Sequence, residues 1–473
     1  MTASAPDLPK SGDLVELSIG EAVHGGWCVA RSDPDPARPA AHAGPAGNAG
    51  PAGNAGPRPV IFVRHALPGE RVRALITSTT SRFARADAVQ ILDASADRVR
   101  PPCPHARPGG CGGCDWQHAS LPAQRALKAA VVRQQLRRVA GIERDVTVEP
   151  VPGDEGGLGW RTRVRFAVGR DGAAGLRRHR SHDVLEIGDC PIAHPLVSAV
   201  GATGRTWPGA ASVEVAVAPG SGQRAVTVTG AVSRTVTAAA REIAADTVLA
   251  GRAGRSGPAV VRGPGFLRQR AAGRDWRVSA TGFWQVHPGA ADALAAAVLD
   301  ELRPQPGDVA LDLYCGAGLF AGVLARAVGP TGAVIGIEAD AAAVRDARHN
   351  LRSTPWARVH RGDVATVLAR NGLTGASMVV LDPPRTGVAR AVIDLLSAPP
   401  AASAATRADR PGTRPGGTGR PGRIAYVSCD PATLARDLAV LSATGWRLEA
   451  LRAFDAFPMT HHVECLATLT RGS

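Results

Sequence analysis

Leu311-Asp312-Leu313-Tyr314-Cys315-Gly316-Ala317-Gly318-Leu319 decides the fold. An apolar run breaks into a glycine turn and resumes as a helix-like stretch from Phe320 to Val328. This is the first strand-turn-helix unit of a Rossmann-like sheet, where glycines let the backbone approach a ligand closely. A dinucleotide enzyme favours Gly-x-Gly-x-x-Gly, and only Gly316-x-Gly318 stands here. Val334-Ile335-Gly336-Ile337-Glu338 comes next, a second strand ending in an acid placed to accept hydrogen bonds from ribose hydroxyls. Gly362-Asp363 follows a third strand-like run, a position suited to an adenine edge. Met378-Val379-Val380-Leu381 then runs into Asp382-Pro383-Pro384-Arg385, an acid followed by a rigid diproline. Strands and helices alternating from Gly282 onward predict a doubly wound α/β sheet, and the lone Gly-x-Gly with Glu338 and Asp363 at the next strand ends reads as a crevice for S-adenosylmethionine (SAM) rather than for a dinucleotide.

Further along, Ser428-Cys429-Asp430 closes a strand-like run (Arg423 to Val427) and opens a helix-like one (Pro431 to Val440). A cysteine at such a strand end faces the crevice. SAM alkylates good nucleophiles directly, so a thiol is needed only where the acceptor atom is too weak a nucleophile unaided. Carbon 5 of a pyrimidine is such an atom: thiolate addition at carbon 6 makes it enolate-like and able to take a methyl group. The competing reading of Cys429 is a buried structural thiol.

Composition sets the outer limits. At 473 residues, two or three domains with cores of their own are expected. Residues Met1 to Asp13 hold no basic stretch followed by an apolar one, and no uninterrupted apolar run approaches the roughly 18 residues a membrane helix needs. A cytoplasmic, monomeric chain without membrane contact is therefore expected. The net charge is +14, and residues 281–473 contribute little of it, with 19 Arg against 17 Asp plus Glu. The positive field belongs to the N-terminal part, as expected if that part holds a polyanion while the C-terminal part does chemistry.

Short strand-like runs at Leu14–Ile19, Val60–Val63, Arg71–Ile76 and Ala88–Leu92 predict a small β-barrel over residues 10–97. It is interrupted at 41–58 by the near repeat Ala43 to Asn48 and Ala49 to Asn54, a low-complexity loop. A helix is expected from Pro122 to Val139, with Leu127, Ala130, Val131 and Leu136 on its apolar face and Arg125, Lys128, Arg133, Arg137 and Arg138 on the others, either solvated or against RNA. This helix, within 121–140, could pack on the catalytic domain. Residues 98–280 otherwise read as a central antiparallel α+β region, and 281–473 as the catalytic domain, with an Ala-Pro-Gly-Arg insert at about 398–422.

Cys103, Cys111 and Cys114 cluster among glycines and prolines, and Cys190 stands alone in Gly188-Asp189-Cys190-Pro191. Three clustered thiols and a distant fourth suit ligation of a metal centre, with glycine N–H groups free to donate to sulfur. A [4Fe-4S] cluster is the favoured occupant. Structural zinc is the alternative, with His105 or His118 able to replace one thiol. Cys28 and Cys465 read as core residues, and Cys315 as packing in the glycine turn.

Together with Phe283-Trp284-Gln285-Val286-His287 and His462-Val463-Glu464, these motifs stand in an order that resembles the RNA 5-methyluridine methyltransferase family, and the barrel is similar to its RNA-binding TRAM domain. The resemblance implies Cys429 as nucleophile and Glu464 as the base that removes the carbon-5 proton. It implies contacts from Gln285, Tyr314, Gly316, Glu338, Asp363 and Asp382 to SAM or the target uracil, and a [4Fe-4S] cluster on Cys103, Cys111, Cys114 and Cys190. The RNA would be ribosomal or transfer RNA. Leu319 and His287 stand where the family usually has Asn, and the first cysteine gap is longer than usual, which marks a divergent branch. Two other functions are weighed: an RNA 5-methylcytosine enzyme, which usually carries a second cysteine near Asp-Pro-Pro, and an inactive RNA-binding or maturation factor.

Overall fold

The computed structural model describes residues 8–32, 60–231, 233–252, 254, 257–372, 375–398 and 421–471. The repeat within 41–58 lies outside them, as does the insert at 398–422 apart from its ends.

Five strands close the N-terminal barrel: β1 (Leu14–Val23), β2 (Trp27–Ser32), β3 (Val60–Arg64), β4 (Arg71–Thr79) and β5 (Phe83–Asp93), in the order 1-2-3-5-4. Strict alternation builds it. In β4, Val72, Ala74 and Ile76 are buried while Arg71, Arg73 and Leu75 face outward, the period of two that a curved sheet with one packed face demands.

Helix α1 (Leu121–Gln135) starts where the Ser120 hydroxyl accepts from the Ala123 N–H, with Pro122 in the first turn. It continues as a π-helical turn, Leu136–Ala140. The helix is wedged between two cores. Val131 packs with Trp116 in the barrel core, while Ala129, Val132 and Leu136 belong to the catalytic core. Its expected basic faces need one correction. Lys128 is fully buried, with Nζ 2.5 Å from Asp455 Oδ1 and 2.9 Å from the Phe457 carbonyl. Helical periodicity marks Lys128 as off the apolar stripe but cannot tell water from a carboxylate 327 residues away.

β6 (Val148–Pro150) follows as a short edge strand of the catalytic sheet, beside residues 453–455. The central region then forms a seven-stranded sheet from β7 (Arg163–Val168), β8 (Ala174–Arg177), β9 (Val184–Glu186), β10 (Ala210–Ala218), β11 (Gln223–Gly230), β12 (Thr247–Gly251) and β13 (Ala259–Arg262), in the order 13-12-11-10-7-8-9. Its one parallel contact joins β11 to β12. The hairpin β14 (Phe266–Ala271) and β15 (Arg274–Ser279) is anchored on the catalytic domain, because Trp276 is buried in the catalytic core. It lies so close to Gly322 that a Cβ there would come within 2.4 Å of the indole.

The catalytic sheet contains β16 (Val309–Leu313), β17 (Ala333–Glu338), β18 (Ala357–Arg361), β19 (Met378–Leu381), β20 (Arg423–Ser428), β21 (Trp446–Asp455) and β22 (Glu464–Arg471), in the order 18-17-16-19-20-22-21-6. β16 to β20 are parallel, and β22 is antiparallel to both neighbours. The order reverses between β16 and β19. An open sheet of this kind binds ligands at the carboxyl ends of its strands at that point.

Candidate active site

Two strand ends bring together Cys429 and Glu464, the expected nucleophile and base. β20 and β22 run antiparallel with Ser428 opposite Cys465, so the next residue of one chain and the preceding residue of the other, Cys429 and Glu464, meet at the same edge. Both are enclosed, Glu464 almost completely. Burial, and then the neighbouring Glu464 charge, push the Cys429 thiol up to about 11, while Arg385 opposes the shift by charge and by a hydrogen bond to the sulfur. Glu464 itself is held well above the ordinary carboxylate range, first by burial and then by Asp382, with Arg385 again opposing. A thiol, a proton-retaining carboxyl and a guanidinium thus face one another. The thiol rests protonated in this site, contrary to the lowered thiol pKa that an electropositive crevice would give, because burial and Glu464 outweigh Arg385.

The crevice beside them is built by the glycine turn. Tyr314 has φ 66° and Gly316 φ 52°, left-handed values that turn the chain sharply after β16. A Cβ on Gly316 would meet nothing within 4 Å, so the space above it is open to a ligand. Glu338, at the end of β17, accepts from the Gly316 N–H (3.0 Å) and the Asp340 N–H (2.7 Å). Asp382, at the end of β19, is pushed up to about 7 by burial and then by Glu338. Asp363 is exposed and caps helix α2 (Val364–Asn371) by accepting from the Thr366 N–H at 2.9 Å. Gln285 is buried but lines a different pocket, walled by Thr162, Gln269, Arg270, Trp284 and Pro288. None of Gly316, Glu338, Asp363 or Asp382 lines that pocket.

Cys103, Cys111, Cys114 and Cys190 all line one cavity, together with Gln117 and Arg161. The Gly113 N–H donates to Cys111 Sγ at 3.4 Å. Cys190 accepts from the backbone of Ile192 and Ala193, and Cys114 has a hydrogen bond from Gln117. Among the described residues, no three His, Cys, Asp or Glu side chains stand close enough to share one metal ion. Cys28, Cys315 and Cys465 are buried in cores.

Residues 419–472, which hold Cys429 and Glu464, match the model of the tRNA (uracil-5-)-methyltransferase family. Residues 286–372 match that of protein-L-isoaspartate(D-aspartate) O-methyltransferase. An uncharacterized RNA methyltransferase of Streptomyces avermitilis is 46% identical over 97% of this chain and 98% of its own length. The 23S rRNA (uracil(1939)-C(5))-methyltransferase RlmD of Alkalilimnicola ehrlichii is 34% identical over 87% of this chain and 92% of its own. The chain belongs to the RNA uracil-5-methyltransferase family. The fold agrees: the Pyrococcus abyssi tRNA (uracil-54, C5)-methyltransferase, solved with S-adenosyl-L-homocysteine, superposes with a TM-score of 0.63 at 22% identity, covering 87% of this chain and 95% of that one.

Two residues of this methyltransferase gain a place that its sequence left unassigned. Arg385, directly after the diproline, faces both Cys429 and Glu464. Asp312 accepts from the Ala321 N–H at 2.6 Å through one oxygen, while its buried Oδ1 has no protein partner. Burial pushes its carboxyl up to about 8.

Proposed function

We propose that this methyltransferase moves the methyl group of SAM to carbon 5 of a uridine in ribosomal or transfer RNA through a covalent adduct on Cys429. The observation that carries the reading is the meeting of Cys429, Glu464 and Arg385 at one strand edge beside the Gly316 crevice. The open space over Gly316 and the carboxylates of Glu338 and Asp382 suit SAM, whose ribose hydroxyls Glu338 would hold and whose sulfonium supplies an electrophilic methyl. Asp363 would reach the adenine edge, with Tyr314 beside it. Gln285 belongs to this set only by family resemblance.

Cys429 and Glu464 lose their protons to bulk water before the addition, and Arg385 stabilises the resulting thiolate. Sulfur adds to carbon 6 of the uracil, and the ring electrons shift to make carbon 5 and the carbon-4 oxygen enolate-like. Asp382, titrating near neutrality, is suited to hydrogen-bond the uracil. Carbon 5 then takes the methyl group and S-adenosylhomocysteine leaves. Glu464, whose raised pKa makes it a stronger base once ionised, removes the carbon-5 proton, and the C–S bond breaks to restore the thiol site.

A [4Fe-4S] cluster on Cys103, Cys111, Cys114 and Cys190 is part of this reading. Support comes from the convergence of all four thiols on one cavity with N–H donors to sulfur. The preference for a cluster over a single zinc ion rests on the sequence, in which only Cys111 and Cys114 form a Cys-x-x-Cys pair while Cys103 and Cys190 stand alone. The cluster would fasten the loops that carry it, and no chemical step passes through it. The barrel at 10–97 acts as a TRAM-like RNA-holding module in this reading, consistent with the positive charge of the N-terminal part. Mass spectrometry of nucleosides from ribosomal and transfer RNA of a deletion strain, with site mapping, tests the assignment. Loss of 5-methyluridine at one site is expected; loss of 5-methylcytosine instead, or no loss, would overturn it.

A further inference from the structure

The turn between β1 and β2 reaches from the barrel into the catalytic centre. His24 Nε2 lies 3.0 Å from Asp430 Oδ2, and the two side chains are 37% and 27% exposed. Asp430 directly follows the nucleophile and is already committed at its other oxygen. Its Oδ1 accepts from the Thr433 N–H at 2.8 Å, capping helix α3 (Pro431–Ala443). On the other side of Cys429, the Ser428 hydroxyl donates to the Asp430 carbonyl at 3.2 Å. Cys429 is thus held between two anchored residues, and one anchor comes from a separate domain.

The docking is close. A Cβ on Gly26, in the same turn, would come within 2.7 Å of the Asp115 side chain. His461, three residues before Glu464, bonds Asp115 at 2.6 Å and meets the His24 ring edge-on at 6.3 Å. One barrel imidazole therefore touches the loop of the nucleophile and approaches the loop of the base.

We propose that His24 is a positioning residue: by holding the free oxygen of Asp430, the docked barrel fixes the loop that aims the Cys429 sulfur at carbon 6. This deepens the proposed function and rests on it. The nucleophile loop is at rest only when the barrel is seated, so the module that would hold RNA also sets the geometry of attack. The hydrogen bond to Asp430 raises the His24 pKa and outweighs burial, which lowers it, favouring the charged imidazole.

The test compares His24→Leu with His24→Gln, since glutamine keeps an N–H donor. At saturating RNA, His24→Leu should lose about tenfold in single-turnover methylation rate, the scale that small misplacements of reacting atoms produce. KM for RNA and melting temperature should move little, and His24→Gln should recover most of the rate. Without RNA, iodoacetamide should alkylate Cys429 several-fold faster in His24→Leu, read from the mass of the tryptic peptide 424–436, in which Cys429 is the one cysteine. An unchanged alkylation rate, or a loss confined to KM, overturns the proposal. The alkylation arm needs no RNA, so failure of the methylation reading is seen separately, as wild-type protein that makes no 5-methyluridine.

Discussion

Cys429 and Glu464 are cross-strand neighbours, one residue beyond the Ser428–Cys465 pair that ends the β20–β22 ladder. The sequence separates them by 35 positions, and the antiparallel insertion of β22 beside β20 removes that separation. In the proposed mechanism Glu464, as the base, therefore sits beside the sulfur that its proton removal releases. Glu464→Gln should add and methylate but fail to remove the carbon-5 proton. A covalent enzyme–RNA complex carrying the SAM methyl group should then accumulate on ordinary RNA, seen as labelled protein on a denaturing gel. Near wild-type turnover would assign the base elsewhere, with Asp382 next in line.

Arg385 counteracts the two influences that hold the Cys429 thiol up at about 11. Only the thiolate reacts, so between pH 7 and 9 the alkylation rate of Cys429 should still be rising with pH. Arg385→Gln removes the charge that favours the anion, so the thiol pKa rises further and the rate at fixed pH falls. The whole profile should move to higher pH. A profile that stays put would remove Arg385 from thiol activation.

The four-thiol cavity predicts a brown protein when purified without oxygen, with about four irons if the cluster is [4Fe-4S]. Cys114→Ser should lose iron and melting temperature together, because Cys114 is buried against Trp160, Ile192 and Met459 and the cluster would tie these loops to one another. Active, colourless, zinc-loaded protein would replace the cluster with an ion.

Lys128 and Asp455 form a buried ion pair that ties α1 to β21. Lys128→Ala leaves the carboxylate without its partner in the interior, and chemical denaturation should register a loss of about 3–5 kcal/mol. Lys128→Met with Asp455→Leu should recover much of that. A single substitution that costs nothing would mean the pair is solvated in solution.

Most of the catalytic sheet was legible because each of the strands β16 to β20 ends in a turn with its own chemistry: Gly316, Glu338, Gly362-Asp363, Asp382-Pro383-Pro384 and Ser428-Cys429. Those residues mark strand ends whether or not the partner strands are known. Contacts between distant segments were not legible. Three residues at Val148–Pro150 have no pattern long enough to announce a strand, and they join the sheet beside β21, with Val148 in the same core as α1. Lys128 and His24 look solvated in the chain, since their carboxylate partners lie in segments that only the folded structure brings near. Gln285 was named by a motif, and the pocket it lines is not one that Gly316, Glu338, Asp363 or Asp382 lines.

The covalent role of Cys429 is tested most directly with RNA containing 5-fluorouridine. Fluorine cannot leave as a proton, so wild-type enzyme with SAM should stop after methyl transfer and remain joined to the RNA. Digestion and mass spectrometry should place the methylated fluoropyrimidine on Cys429, and Cys429→Ala should give neither complex nor product. A complex mapped to another residue, or an active Cys429→Ala enzyme, would contradict the account.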